Sequence, residues 1–143
     1  MPRLRVSVEG EAIRATRVLV AAQRVAYVFV ASRPIQYRLG RSRVVYVGSS
    51  NYGLGRVTAS VSDRAPAILG RHGVATFHAY VLTSAPRQRV KTWHKLERAL
   101  LIRFRERFGE PPLCNAQGTA MRVAGEFDLF SQARIDSIID DLS

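Results

Sequence analysis

The chain has 143 residues, 47% hydrophobic and 23% charged, enough to bury one core and too apolar to be disordered throughout. Its net charge of +11 comes from twenty arginines and two lysines against eleven acids. A phosphate-rich partner is therefore expected, since arginine's planar fork matches phosphate. One cysteine, Cys114, excludes an internal disulfide and a multi-cysteine zinc site, and no apolar run approaches the length of a bilayer span.

The expectation is a soluble, cytoplasmic protein, with its oligomeric state left open. Its charge is uneven. From Ala12 to His94 thirteen arginines and lysines face a single carboxylate, Asp63. The last eighteen residues hold five acids (Glu126, Asp128, Asp136, Asp140, Asp141) against Arg134, so residues 1–125 carry +15, four more than the whole chain. That division predicts a basic phosphate-binding body and an acidic, solvated or partner-facing end.

In chain order, residues 3–8 alternate polar and apolar, the signature of a half-buried strand. Glu11–Ala22 suits helix or strand. Val25–Ala31 is β-branched and aromatic, a buried strand that Pro34 ends or follows. Residues 1–33 are expected to form a β-rich extension packed on a core spanning 34–143. Ile35–Leu39 and Val44–Val47 then read as a hairpin around a Gly/Arg/Ser turn. Ser49, Ser50 or Asn51 is a natural N-cap for a helix carrying Leu54, Val57 and Val61, with Arg56 near its first turns. Pro66 and Gly70–Gly73 predict a loop, Thr76–Leu82 a strand, and Thr92–Phe108 the best helix, stopped by Gly109, Pro111 and Pro112. Ile135, Ile138, Ile139 and Leu142 mark a C-terminal helix. The order is β-β-α-β-α, an α/β (α+β) class.

One carboxylate is out of place. At about 100° per residue from Trp93, Glu97 falls at about 40°, inside the stripe of Leu96, Leu100, Leu101, Phe104 and Phe108. A carboxylate there needs an arginine, a metal or the end of a cleft. Arg56 is the best-placed arginine. Acids are too scarce for a two-metal cluster, but one carboxylate can hold one Mg²⁺ with water and phosphate completing its shell. His72, His78 and His94 lack metal-ligand spacing and read as surface or packing residues. The expected nucleic-acid contacts are Arg38, Arg41 and Arg43 in the turn, Gly48 and Ser49 after the second strand, and Arg64 and Arg71 beyond it.

With these residues in view, the chain resembles the GIY-YIG nuclease family over roughly Pro34–Asn115. Tyr46-Val47-Gly48 is similar to the second triplet, Tyr37 stands where the first tyrosine is expected, and Arg56 where the catalytic arginine is expected. Glu97 takes the place of the metal-binding glutamate, and Pro112-Leu113-Cys114-Asn115 resembles a later Pro-Leu-x-Asn. Departures are Ile35-Gln36-Tyr37 for the first triplet, Ser49 where many members have lysine, and Ser60 where members often have His or Tyr. The resemblance implies a small three-stranded antiparallel sheet flanked by helices, and a metal-dependent endonuclease acting on DNA; RNA is a further partner suggested by the net charge rather than by the resemblance. It implies Tyr37 or Tyr46 as the group that deprotonates water, with Tyr37 favoured, and Arg56 on the scissile phosphate. Glu97 would hold one Mg²⁺ or Mn²⁺, with Asn115 nearby. The alternative is a non-catalytic nucleic-acid-binding protein on the same fold.

Overall fold

The run Val25–Ala31 is apolar without alternation because it is covered on both sides. In the computed structural model, which describes residues 3–16, 21–115 and 121–143, all seven of these residues are buried. They open strand β1 (Val25–Tyr37), the middle strand of a three-stranded antiparallel sheet of order β2-β1-β3. Its neighbours are β2 (Gly40–Ser50) and β3 (Phe77–Leu82). The class is mixed α and β, with four α-helices around this sheet among the described residues. Helix α1 (Leu54–Ala65) follows β2 and continues as a π-helical turn, Pro66–Arg71. Helix α2 (Thr92–Phe108) follows β3, and α3 (Glu126–Leu129) and α4 (Gln132–Leu142) close the chain.

The sheet separates two apolar clusters. Ala26, Val28, Val30, Val44 and Val47 pack under Leu96, Leu100 and Phe104 of α2 and Ile135 and Ile139 of α4. Val25, Tyr27, Phe29 and Val45 pack under Val57 of α1 and Ile68 of the π-turn. Aromatic contacts line this second face, with the Phe29 and Tyr46 rings 5.2 Å apart across the strands and Tyr27 and Phe29 5.7 Å apart along β1.

The structure departs from the sequence expectations at the joins. Val25–Ala31 and Ile35–Tyr37 form one strand, so the boundary expected at residue 33 falls inside β1. Pro34 lies where the β1–β2 register shifts between Val30 and Ile35, which suits a residue with no N–H for the ladder. The shift also reverses the faces. Tyr27 points toward α1 and Tyr37, also odd-numbered, toward α2. The hairpin turn is only Arg38-Leu39, and Arg41 and Arg43 lie within β2, exposed on either side of buried Ser42.

Residues 3–16 form neither strand nor helix, and Leu4, Val6 and Val8 are exposed, so the β-rich, packed extension is not seen there. Alternation gave them strand chemistry, but no partner edge meets them. Arg17 and Val18–Val20 of the ambiguous segment lie outside the described residues. Helix α1 is capped at Gly53, two to four residues beyond the expected Ser49, Ser50 or Asn51, and continues through the expected Pro66 loop. Pro66 removes one helical hydrogen bond, and the widened turn accommodates the loss.

The acidic end is docked rather than solvated. Glu126 is wholly buried and accepts Arg98 Nε at 2.7 Å, Arg103 Nε meets Asp136 at 2.8 Å, and Arg107 pairs with Asp140. Three arginines of α2 thus face three acids of the C-terminal segment in the same order.

Candidate active site

Where β2 ends, the chain must turn sharply to start α1. Ser50 Oγ accepts the Tyr52 N–H at 2.9 Å, and the Gly53 N–H reaches back to the Gln23 carbonyl at 2.8 Å. Gly53 has φ +68°, and a Cβ there would stand 3.2 Å from the Ala22 carbonyl oxygen, so glycine is needed on both counts. The turn leaves a cleft of about 390 Å³ between the end of β2 and the N-termini of α1 and α2. Ser49, Tyr52 and Arg56 line it from the β2–α1 side, and Lys91, Trp93 and His94 from α2. Arg56 and Lys91 are exposed and make no ion pair among the described residues. The Arg24 guanidinium lies 5.0 Å over the Trp93 ring.

Glu97, one turn into α2, lies behind the wall that Ser49 and His94 give this cleft. Its side chain is 20% exposed. Ser49 Oγ donates to Glu97 Oε2, and His94 Nδ1 lies 3.4 Å from the same oxygen. The arginine partner considered for it, Arg56, is not bonded to it among the described residues; its neighbours are Ser49 and His94, both lining the cleft.

On the α1 face of the same strand, two tyrosines meet. Tyr27, which sequence reasoning left in the scaffold, is the direct partner of Gly48 across the β1–β2 ladder. Its hydroxyl shares a 2.7 Å hydrogen bond with Ser60, and its ring centroid is 6.1 Å from that of Tyr46. Burial pushes the Tyr27 phenol above its ordinary pKa, against the Ser60 bond and the nearby Arg56 charge, which pull it down. Arg64 stacks over Tyr46 with its guanidinium carbon 4.7 Å from the ring centroid, and the Tyr46 hydroxyl beside it holds the guanidinium above its ordinary pKa. Arg64 Nε is buried with no hydrogen-bond partner among the described residues.

Gly48 has a structural reason that does not involve a ligand. A Cβ there would come within 2.6 Å of the Tyr27 ring and 2.7 Å of its hydroxyl. Gly48→Ala is expected to push Tyr27 off Ser60 and lower stability by about 1–3 kcal/mol, read as the midpoint of denaturant unfolding.

The structure does not bring Tyr37 to the other expected residues. It lies on the α2 face, edge-on to Phe104 at 5.1 Å, donating to the Val44 carbonyl at 2.6 Å and accepting the Leu113 N–H at 3.1 Å. Burial drives its pKa well above the ordinary tyrosine value. Nor does Asn115 meet Glu97. Its side chain accepts the Val47 N–H at 3.0 Å and donates to the Val47 carbonyl at 2.9 Å, while the Cys114 N–H bonds the Val45 carbonyl. Pro112–Asn115 therefore covers part of the outer edge of β2, which would otherwise expose unpaired backbone.

Arg38, Arg41 and Arg43 sit at the other end of the hairpin, near the C-terminus of α2, where the Leu39 N–H bonds the Phe108 carbonyl. From Arg41 to Ser49 is roughly 26 Å at ~3.3 Å per residue. Arg64 and Arg71 lie nearer, on the α1 face, where both act on the Cys114 thiol.

Among the described residues no three His, Cys, Asp or Glu side chains gather as a metal cluster. Beside the cleft, the Glu97 carboxylate and the Ser49 hydroxyl bonded to it form a hard-oxygen pair that fits Mg²⁺ or Mn²⁺ carrying most of its own water. Among the described residues no helix is long and apolar enough to cross a membrane. No family model, no curated protein and no solved structure matches the chain.

Proposed function

We propose that this protein is a metal-dependent DNA endonuclease of GIY-YIG type, hydrolysing a phosphodiester bond with one divalent ion. The observation that carries the reading is the gathering of unlike groups along Tyr46–Ser49 of β2. Tyr46 brings a phenol, Gly48 makes room for the Tyr27 phenol, and Ser49 holds Glu97. Arg56 stands exposed in the cleft between the two faces, close enough to Tyr27 to bias its proton.

The roles follow from what the reaction demands. Tyr46 is half-buried rather than sealed, beside Tyr27 and under the Arg64 guanidinium, and its hydroxyl is the one we assign to take the proton of the attacking water. Tyr37 cannot, because both hydrogen-bonding directions of its hydroxyl go to backbone. Tyr27 and Ser60 hold Tyr46 in register from beneath. Arg56 receives the scissile phosphate and offsets the charge that grows on it in the transition state. Glu97, oriented by Ser49, is the group that would hold the ion. When bound, such an ion neutralises charge on the leaving oxygen.

Supercoiled plasmid incubated with the protein is expected to be nicked in Mg²⁺ and to stay intact in EDTA. Intact plasmid in both would remove the enzymatic reading. The second reading, a nucleic-acid-binding protein without cleavage, is favoured by one observation: the Glu97 carboxylate is already engaged by Ser49 and His94. It predicts steeply salt-dependent binding that persists in EDTA.

A further inference from the structure

We infer that the cleft is built for an unpaired nucleotide, with a base stacked on Trp93 and Tyr52 and its phosphate held by Arg56 and Lys91. This rests on the nucleic-acid reading above and narrows its substrate to single strands and to places where a duplex opens or ends.

The cations alone would serve any phosphate backbone. The aromatics ask for more. Tyr52 is 77% exposed in the loop before α1, packed into neither cluster of the core. An exposed ring at the mouth of a cationic cleft has no folding reason to be aromatic. Trp93 enters the same cleft from a different element, α2, with Arg24 on its ring. That cation–π contact steadies the indole as a platform.

At about 390 Å³ the cleft falls within the ~300–1,000 Å³ range of sites that enclose small organic molecules. Inside a duplex each base is already stacked on both faces, so rings of this kind gain nothing from paired DNA. They bind bases that are free of the stack, whatever their sequence, because every base has a π-face.

Trp93 is the only tryptophan of the chain, so its fluorescence reports this cleft alone. The full-length protein in EDTA is titrated with a twelve-residue oligothymidylate, a blunt duplex, the same duplex with a single-stranded overhang, and thymidine monophosphate. Anisotropy of labelled DNA measures binding in parallel. The single strand and the overhang are expected to quench Trp93, and the blunt duplex to bind with little quenching. Tyr52→Ala is expected to weaken single-strand binding about tenfold or more, with Tyr52→Phe close to wild type.

Equal quenching by blunt duplex, or DNA binding that leaves Trp93 and the Tyr52→Ala affinity unchanged, overturns the inference. Monophosphate quenching as strong as the oligonucleotide's points to a free nucleotide and overturns it as well. Quenching without plasmid cleavage leaves the inference standing and removes the nuclease. Cleavage without quenching does the reverse.

Discussion

Arg56→Ala is expected to slow plasmid nicking by about 10²–10³-fold while leaving the protein folded. The magnitude is that of removing one fixed donor from a charge-stabilising site, where its loss is felt only as the transition state forms. Arg56 is exposed and makes no ion pair among the described residues, so its side chain contributes little to the fold. Activity and stability should therefore part company. Glu97→Ala is expected to fall as far and to lose its dependence on Mg²⁺ concentration, at a stability cost of about 1 kcal/mol for the unmet Ser49 hydroxyl.

The tyrosines supply the internal contrast. Tyr46→Phe should remove most of the rate. Tyr37→Phe should leave the rate alone and cost about 1–3 kcal/mol, because the buried Leu113 N–H and Val44 carbonyl lose their shared hydroxyl. Initial nicking rates and urea midpoints on the same preparations separate these outcomes. A wild-type rate in Arg56→Ala, or a Tyr37→Phe enzyme that folds normally but does not cut, would take the proposed site apart.

That contrast also shows what the sequence could carry. Helix α2 is legible to its last residue, since its stripe repeats for almost five turns and Gly109 leaves it at φ +79°. The strands are legible as strands, because β-branched and aromatic runs have few other uses. Their faces are not. A strand buried on both sides has no polar alternation to mark inside from outside, and the shift near Pro34 inverts the faces without trace in composition. Tyr37 was favoured through the resemblance, yet Tyr27 is the ring beside Tyr46, while Tyr37 packs on Phe104 on the other face. The available signal was Gly48, a residue with no side chain directly after the large run Val44–Val47, which marks close approach by something bulky. Glu97 was legible because a charge inside an apolar stripe breaks a pattern. Its partner was not, since Ser49 and His94 are brought to it by the path of the chain.

The acids at the end of the chain misled in the same way, and their true place carries the second large expectation. Composition read them as a solvated or partner-facing end, yet Glu126 is wholly buried. Burial alone would push its carboxyl up, but Arg98 and the Ala124 and Glu126 amides outweigh it and hold the pKa down at about 2, against an ordinary 4.5. A depressed pKa stabilises the fold above the unfolded value, and that stabilisation is lost as pH falls from about 4.5 through about 2. A shift of that size corresponds to about 3 kcal/mol.

Glu126→Gln isolates the effect. The amide keeps the shape and can still accept from Arg98, but its nitrogen would face the Ala124 N–H, two donors with no acceptor between them. The variant is expected to be about 3 kcal/mol less stable than wild type at pH 6 and nearly equal to it at pH 2, measured as urea midpoints across that range. The outer pairs, Arg103–Asp136 and Arg107–Asp140, are part-exposed and should add far less. Parallel curves for wild type and variant would mean that Glu126 is not ionised against Arg98. The docking of the C-terminal helices onto α2 would then rest chiefly on their apolar contacts, Ile135 and Ile139 foremost.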